Sequence, residues 1–280
     1  MKKTTTPRYR WRKLASAKWE DAWVERLTSV ADRLAITSLP CSKSIRLEAF
    51  ELTKAQATAL KTNFGGDVTV QRQNLGITTS PRPPIRIRQK LLVVSDEKPR
   101  ASLAAAHPRR PQLLVPAGLA FGTGEHATTS TCLRLLADLA PASGPWSLLD
   151  LGCGTGILAL AGRLLGACPV LAGDFDTTAV TVAKQNLALN RLDRVTIRKL
   201  DVLTWNPDRK WQVVAANMFS ELLIESAPKL ARCVAPGGHL LFSGVLRSQE
   251  KGVVAAFKKQ GFSLQRIVRK GKWVTGLASL

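Results

Sequence analysis

Apolar and polar residues alternate in a regular order beyond residue 113. Short apolar runs, typical of buried strands, alternate with stretches in which apolar residues recur every three or four positions, as in amphipathic helices. Strands that alternate with helices form a parallel sheet with right-handed crossovers. The last two runs, at 262–268 and 273–278, have no helix between them, so one of them must run antiparallel. The pattern predicts an α/β fold with a Rossmann-like sheet of seven strands.

The first third of the chain has a different pattern, which predicts a small α+β domain. We expect a flexible basic arm at 1–13 and an amphipathic helix from Ala17 to Leu34. Alternating residues from Ser44 to Leu52 predict a strand, and Thr53 to Thr62 a helix with Thr53 as its N-cap. A second strand is expected at Val68–Val70.

Proline-rich segments divide the chain. Pro81 to Pro84 interrupts the pattern, and a segment rich in prolines and basic residues follows after Ser95. We therefore predict an N-terminal domain at 1–95, a linker at 96–112 and the α/β domain at 113–280.

Three alternate glycines, Gly152, Gly154 and Gly156, follow the apolar run that begins at Leu148. An apolar run, glycines and a helical pattern in this order predict a strand, a tight turn and a helix start. Glycines let the backbone approach a ligand where any Cβ would collide, and the free N–H groups of a helix start bind polar or anionic atoms. A plain turn explains a lone glycine-rich loop equally well.

An aspartate at the end of the next apolar run supports a nucleotide-type ligand. Asp174 comes 22 positions after Gly152, and an acid at about this distance contacts ribose hydroxyls in nucleotide-binding βαβ units. The G-x-G-x-G spacing differs from the dinucleotide fingerprint G-x-G-x-x-G. Asp150, directly before the loop, suits a cationic amine better than a pyrophosphate. S-adenosylmethionine carries both such an amine and a ribose.

Two further polar residues stand where predicted strands end. Asp201 follows the strand at 195–200, and it is either an acceptor for an adenine amino group or an ordinary surface acid. Asn217 follows the apolar strand at 211–216. Because ligands bind at the carboxyl ends of parallel strands, we expect both side chains near the glycine loop.

A second glycine-rich segment, Val115 to Thr131, precedes the first strand of the predicted sheet. We expect it to fold over the ligand as a lid, with a helix from Thr131 to Leu139. Its threonines, Thr129 among them, either donate hydroxyl groups to a ligand carboxylate or simply cap the helix. His126 is expected to shape this lid.

The charge of the chain changes the expected partners. Lys and Arg number 41 against 20 Asp and Glu, which gives a net charge of +21, and the excess is densest in the N-terminal part. The cations of residues 8–18 are interleaved with Tyr9, Trp11 and Trp19, an arrangement that suits contact with the phosphate backbone of a nucleic acid, alone or within a ribonucleoprotein. A solvated basic tail is the alternative.

The five cysteines are scattered without a C-x-x-C pair. This spacing fits neither a zinc site nor a disulfide framework and suits a reducing cytosol. No apolar stretch follows the basic start Met1 to Arg8, and no run is long enough to span a bilayer. We therefore expect a cytoplasmic protein with no metal ion and no membrane contact.

The segment Ala120 to Thr129 reads AFGTGEHATT and resembles the A-F-G-T-G-x-H-x-T-T signature of the PrmA-type methyltransferases of ribosomal protein L11. Further motifs follow in the order of this family, at 150–156, 173–176, 216–217, 236–238 and 243–246. The resemblance covers about residues 113–280. It implies a class I methyltransferase fold, S-adenosyl-L-methionine as cofactor and an N-terminal domain that recognises the substrate.

The resemblance also implies residue roles, with cofactor contacts from Thr129, Gly152, Asp174 and Asn217. Asn217 is the expected catalytic residue, because its carbonyl oxygen orients the acceptor amine without a charge that would hold the amine protonated. The implied reaction is N-methylation of lysine ε-amino or α-amino groups of a ribosomal protein by a monomeric enzyme. No residue is an evident general base. The positions of the residues add four members to the cofactor set: Asp150, Gly154, Gly156 and Asp201.

Two other functions stay open from the sequence. Met218 and Phe219 are bulkier than the usual residues of the family after the asparagine, and the N-terminal part is basic, which favours methylation of RNA or another protein. The third function is a non-catalytic ribosome- or RNA-binding protein that keeps the fold. The intact glycine loop, Asp174 and Asn217 argue against this third function.

Overall fold

The computed structural model describes residues 8–20, 23, 26–39, 42–71, 83–97, 100–116, 122–141 and 144–280. The chain forms two compact units, Met1–Thr78 and Thr79–Leu280. Within the described part of the chain, no helix is long and apolar enough to cross a membrane.

The first unit contains a four-stranded antiparallel sheet with the order β2-β3-β1-β4. Helix α1 (Lys54–Phe64) packs on this sheet. Thr53 caps α1 as predicted: its hydroxyl accepts from the Gln56 amide, and the Gln56 side chain accepts from the Thr53 amide. The strands are β1 (Arg8–Ser16), β2 (Leu34–Ser38), β3 (Ser44–Leu52) and β4 (Asp67–Gln71).

One prediction for this unit is wrong, and another is correct only in part. Residues 8–13, expected in a flexible arm, lie in the central strand β1, because the side chains between its arginines point into the core. Trp11 is completely buried, and its Nε1 donates to the Gly65 carbonyl at 2.8 Å. The helix expected at 17–34 is correct only in part: Glu20, Trp23 and Arg26 are α-helical, but Ala17–Trp19 and Thr28–Arg33 are 3₁₀ turns and Leu34 begins β2.

The second unit begins with a small three-stranded sheet, β5-β6-β7. Its strands are β5 (Ile85–Ile87), β6 (Leu91–Val94) and β7 (Gln112–Leu114), and α2 (Arg100–Ala106) lies between β6 and β7. This arrangement differs from the predicted linker between the two domains. The region expected as a linker at 96–112 contains a helix and the start of a strand, because the buried Leu113 and Leu114 pair with β6.

The main sheet has seven strands in the order β10-β9-β8-β11-β12-β14-β13, as predicted in number. β14 is antiparallel to both of its neighbours, and the other neighbouring pairs are parallel. The antiparallel ending expected from the last two apolar runs is therefore confirmed. The strands are β8 (Trp146–Leu151), β9 (Ala167–Asp174), β10 (Val195–Lys199), β11 (Trp211–Asn217), β12 (Val234–Leu246), β13 (Ser263–Lys270) and β14 (Trp273–Ser279).

Helices cover both faces of this sheet, and each face has its own hydrophobic cluster. The cluster on one face contains residues of α3, α4 and α5, and the cluster on the other contains residues of α6 and α7. The predicted α/β architecture is thus confirmed. The helices are α3 (Ala127–Leu139), α4 (Ile157–Leu164), α5 (Thr177–Leu189), α6 (Ser220–Cys233) and α7 (Glu250–Lys259).

The strand order places the candidate site. The chain runs outward from β8 to β9 and β10 in one direction and returns on the other side of β8 through β11. At such a reversal the loops after neighbouring strands separate and leave a crevice at the carboxyl ends of the strands. The ends of β8, β9 and β11 meet there.

Replacing Gly276 by alanine tests the packing of β14 on β12. A Cβ at Gly276 would overlap the ring of the fully buried Phe242, its direct partner across the two strands. Because the core has no room for this methyl group, we expect Gly276→Ala to lower the free energy of unfolding by about 1 to 3 kcal/mol in urea denaturation.

The matched control is Gly252→Ala in α7. Gly252 is exposed, and the nearest atom to an added Cβ is Ile224 Cδ1 at 3.8 Å. This variant is expected to be as stable as the parent or more stable by about 0.5 to 1 kcal/mol, because alanine favours helix. Parental stability of Gly276→Ala would contradict the packing described here.

Candidate active site

A cavity of about 680 Å³ lies at the carboxyl ends of the parallel strands. Its size is typical of sites for small molecules, and most of its wall is apolar. The residues that line it come from the segments that follow β8, β9, β10 and β11 and from the start of α3 and β14. The polar side chains in its wall are His126, Thr128, Asp174, Asp176, Asp201 and Asn217.

The glycine loop forms one side of the cavity. Gly152 and Gly154 line it, and both have positive φ, at 68° and 53°. A Cβ at Gly152 would lie 2.8 Å from Met218 Cγ, so a side chain there would strain the backbone and displace a neighbour. The Gly152 and Cys153 amides donate to the carbonyl oxygen of Gly173, at 2.9 and 3.1 Å, and tie the loop to the end of β9.

Asp174 ends β9, and the backbone around it fixes its carboxylate. Its Oδ2 accepts from the Gly154 amide at 2.8 Å, and its Oδ1 accepts from the Asp176 amide at 3.0 Å. Each oxygen keeps a second lone pair, so the carboxylate can still accept hydrogen bonds from two neighbouring hydroxyl groups.

The cavity continues from Asp174 towards Asp201. The Asp201 Oδ1 accepts from the Leu203 amide at 2.9 Å, which fixes this carboxylate at the end of β10. Leu200 and Val202 line the wall on either side of it. A flat, largely apolar group with an amino substituent would find apolar contacts and an acceptor here.

Asn217 ends β11 on the opposite side. Its Nδ2 donates a long hydrogen bond to Thr128 Oγ1 at 3.5 Å, and that hydroxyl lies 2.7 Å from His126 Nδ1. The His126 ring packs edge to face on the Trp273 ring, with the centroids 5.2 Å apart. With Nδ2 engaged by Thr128, the Asn217 carbonyl oxygen stays available as an acceptor.

Five of the eight residues predicted from the sequence line this one cavity: Gly152, Gly154, Asp174, Asp201 and Asn217. Three lie outside its lining: Thr129, Asp150 and Gly156. Gly156 is the N-cap of α4, with a φ of 78°. Thr129 is 1% exposed, and its Oγ1 has no hydrogen-bond partner in the described part of the chain.

Sequence reasoning missed Thr128 as a lining residue. Thr128 and Thr129 are adjacent in the same motif, and the position of the N-cap decides which of them lines the cavity. His126, not a residue near Thr131, is the N-cap of α3, so the helix starts earlier than expected. Residues 120 and 121 of the predicted lid motif lie outside the described residues.

Asp150 lies behind the glycine loop. It is 1% exposed, and its Oδ2 accepts from the Ala159 amide in the first turns of α4 at 3.0 Å. Burial raises the pKa of this carboxyl to about 7, the Ala159 hydrogen bond opposes that rise, and the negative charge of Asp174 adds to it.

A buried polar network connects the glycine loop to the second glycine-rich segment. Thr155 Oγ1 donates to the Gly122 carbonyl at 2.6 Å, and the Thr155 carbonyl accepts from Asn186 Nδ2 at 2.9 Å. Asn190 accepts from the Leu114 amide at 2.8 Å and donates to the Leu114 carbonyl at 2.7 Å. Asn190 also donates to the Asn186 carbonyl, so the contacts form one continuous chain.

The donor set of the cavity fits S-adenosylmethionine. Asp174 offers acceptors to ribose hydroxyls, and Asp201 offers one to an exocyclic amine between apolar walls. Gly152 has no room for a side chain, so the backbone at this position borders the cavity directly. In the same described part of the chain, no group of three or more His, Cys, Asp or Glu side chains could hold a metal ion.

The fold and the site together define a class of protein. A seven-stranded sheet in this order, with one antiparallel strand next to its edge and a glycine-and-acid site at the strand ends, is the class I methyltransferase fold. The family model described as ribosomal protein L11 methyltransferase (PrmA) matches residues 68–279, about three quarters of the chain. The chain belongs to this family.

Individual relatives agree with this assignment. The chain is 38% identical over 162 residues to the ribosomal protein L11 methyltransferase of Heliobacterium modesticaldum, a match that covers 58% of this chain and 50% of the relative. It is 38% identical over 164 residues to the Brucella suis protein of the same name, covering 57% and 58%. The chain thus spans about half the length of the curated relatives that it matches.

A solved structure extends the comparison to the fold. The crystal structure of ribosomal protein L11 methylase from Lactobacillus delbrueckii subsp. bulgaricus matches with a TM-score of 0.62 and 29% sequence identity. The match covers 70% of this chain and 97% of that one. The predicted fold class is confirmed.

The raised pKa of Asp150 predicts a specific dependence of stability on pH. The folded state holds the Asp150 proton up to about pH 7, whereas the unfolded chain releases it near the ordinary value of 3.8. This contribution to stability is therefore complete below about pH 4 and is lost as the pH rises through 7. Asp150→Asn removes the titration and keeps an acceptor for Ala159.

The measurement is urea unfolding of the parent chain and Asp150→Asn between pH 4 and 8. Relative to the parent, the variant should gain stability as the pH rises, by up to about 1.4 kcal/mol per pH unit. A difference in stability that is constant with pH would show that Asp150 has an ordinary pKa.

The hydroxyl of Thr155 is expected to position the segment that carries His126 and Thr128. Thr155→Val keeps the shape of the side chain and removes the hydrogen bond to Gly122, whereas Thr155→Ser keeps that hydrogen bond. One net hydrogen bond is worth about 0.5 to 1.5 kcal/mol, so Thr155→Val should weaken S-adenosylmethionine binding by about 2- to 12-fold in calorimetric titration. Thr155→Ser should bind as the parent does, and equal affinities of the two variants would refute the positioning role.

Proposed function

We propose that this protein is an S-adenosylmethionine-dependent methyltransferase that transfers a methyl group to an amino group of ribosomal protein L11. The observation that supports it most is the convergence of Gly152, Asp174, Asp201 and Asn217 on one cavity at the reversal of the strand order. Family membership supports the choice of substrate, since the relatives carry the name of that ribosomal protein.

In this proposal, the two sides of the cavity bind different parts of the cofactor. Asp174 accepts hydrogen bonds from the ribose hydroxyls, and the apolar wall around Asp201 holds the adenine. The glycine loop lets the backbone approach the ligand closely. Thr128, in the cavity wall, serves the methionine part, while Asp150 supports the loop from behind.

When bound, S-adenosylmethionine supplies a methyl group on a positively charged sulfur, which leaves as a neutral thioether when a nitrogen lone pair attacks the methyl carbon. The task of the protein is to hold the nitrogen in line with the carbon–sulfur bond, and such positioning is worth about 7 to 11 kcal/mol. Asn217 stands at the end of β11, where its carbonyl oxygen accepts a hydrogen bond from the amine and directs the lone pair.

The amine has to be neutral before it attacks. A lysine side chain has an unperturbed pKa near 10.4. The neutral amide of Asn217 orients the nitrogen without stabilising its protonated form, whereas a carboxylate there would favour the ammonium ion. The largely apolar wall also disfavours the charged amine. No residue is assigned as a general base.

We also propose which amino groups are methylated and where the enzyme acts. Lysine ε-amino and α-amino groups are both acceptors of suitable chemistry, and the enzyme acts as a monomer in the cytoplasm. The basic N-terminal segment contacts ribosomal RNA when the substrate is part of a ribosomal particle. Methylation of RNA is the alternative, which the exposed Phe219 at the cavity favours, since an aromatic side chain there could stack on a base.

Two substitutions should separate binding from chemistry. Asp174→Ala removes the ribose acceptor and should abolish detectable cofactor binding in calorimetric titration. Asn217→Ala should bind the cofactor as the parent does but lower turnover by at least about 100-fold, because it removes only positioning. The control is Asp208→Ala, an exposed acid outside the cavity, which should leave both properties unchanged.

A charged variant tests the argument about the amine. Asn217→Asp keeps the acceptor oxygen and adds a negative charge, so turnover should be low at pH 7 and should recover partly as the pH rises towards 10. Full activity of Asp174→Ala and Asn217→Ala would overturn the site assignment.

A further inference from the structure

The sheet of the first unit has two unlike faces. One face packs on α1 and on the 3₁₀ turn at Thr28–Arg33, and it forms a hydrophobic core around the buried Trp11. The side chains of the other face alternate with these along β1 and β3 and are partly or fully exposed. We call this second surface the arginine face. It consists of Arg8, Arg10, Arg12 and Leu14 of β1 with Arg46, Glu48 and Phe50 of β3.

The strand geometry arranges the cations of the arginine face in a row. Arg8, Arg10 and Arg12 are alternate residues of one strand, so each side chain lies about 6.8 Å from the next along it. Leu14, the next residue of this row, is 61% exposed and pairs across the strands with Arg46. The row therefore runs along the central strand and extends to its neighbour.

Acidic residues neutralise only part of this charge. Glu48 forms an ion pair with Arg10 at 3.8 Å. Within the described residues, no acid lies at ion-pair distance from Arg8, Arg12 or Arg46. Asp67, which pairs with Arg12 across β1 and β4, is a second acid on this side of the sheet. The arginine face therefore keeps a net positive charge.

An exposed aromatic ring lies beyond the end of β1. Trp19 is 57% exposed, and the Lys18 ammonium lies 5.2 Å from its ring centroid. The amide of Ala17 donates to the Lys43 carbonyl at 2.8 Å, which joins this end of β1 to the loop before β3. Cations and an exposed aromatic ring thus follow one another along a single strand and its extension.

We propose that the arginine face, together with Trp19, binds single-stranded RNA. The arginines contact successive phosphates, and a base stacks on Trp19, the combination that nucleic-acid-binding sheets use without strict sequence preference. The net positive charge of the arginine face complements the phosphate backbone of such a strand. The inference extends the proposed RNA contact and does not depend on methyl transfer.

The test uses the full chain and a fluorescein-labelled single-stranded RNA of mixed sequence, with binding followed by anisotropy at several salt concentrations and without cofactor. The face variant combines Arg8→Gln, Arg12→Gln and Arg46→Gln. Each phosphate contact on a single strand contributes about 0.7 to the slope of log affinity against log salt, so the slope should fall by about 2. Trp19→Ala alone should weaken binding by about 5- to 150-fold.

The control variant removes the same charge from α7, through Lys251→Gln, Lys258→Gln and Lys259→Gln, three exposed lysines outside the arginine face. Circular dichroism checks that every variant is folded, and single substitutions replace the triple variant if it is not. A slope and affinity equal to those of the parent in the face variant, or an equal loss in the control, would overturn the proposal.

A protein partner is a separate outcome. If the face variant binds RNA as the parent does but has a raised KM for methylation of isolated ribosomal protein L11, the face docks protein and the RNA proposal fails. Because RNA binding is measured without cofactor, inactivity of the parent chain as a methyltransferase would leave this test intact.

Discussion

The hydrogen bond from the Gly154 amide to Asp174 is the contact on which the candidate site depends. It joins the loop after β8 to the end of β9 and fixes both the path of the backbone and the direction of the carboxylate. The loop can follow that path because Gly152 and Gly154 adopt positive φ and because no Cβ fills the space beside Met218. Asn217 reaches the same cavity because β11 is the other neighbour of β8.

Buried polar contacts hold this arrangement from behind. Asp150 anchors the start of α4 under the loop, and the Thr155–Asn186–Asn190 network fixes Gly122 and β7 against the same loop. Such groups lose water on folding, so each is costly unless its partner is present. Because each of these groups has its hydrogen-bond partner, the network favours one shape of the cavity. Methyl transfer needs such a fixed shape, since its rate depends on the alignment of the reacting atoms.

The sequence was most informative where pattern and chemistry coincide. Alternating strands and helices beyond residue 113 predicted the seven-stranded sheet, because burial on both faces leaves long apolar runs that nothing else explains. In β1 the same reasoning failed, since the arginines at every second position hid the strand alternation behind an apparently disordered basic composition. Which threonine of the Thr128–Thr129 pair lines the cavity depends on helix phase, which the sequence leaves open to within a residue or two.

The most direct test of the central claim is transfer of labelled methyl from S-adenosylmethionine to hypomethylated ribosomal particles and to isolated ribosomal protein L11, with protein and RNA separated before counting. We expect label in that protein, at amino groups identified by mass spectrometry, from both substrates. Label confined to RNA, or no label from a chain that binds the cofactor, would contradict it.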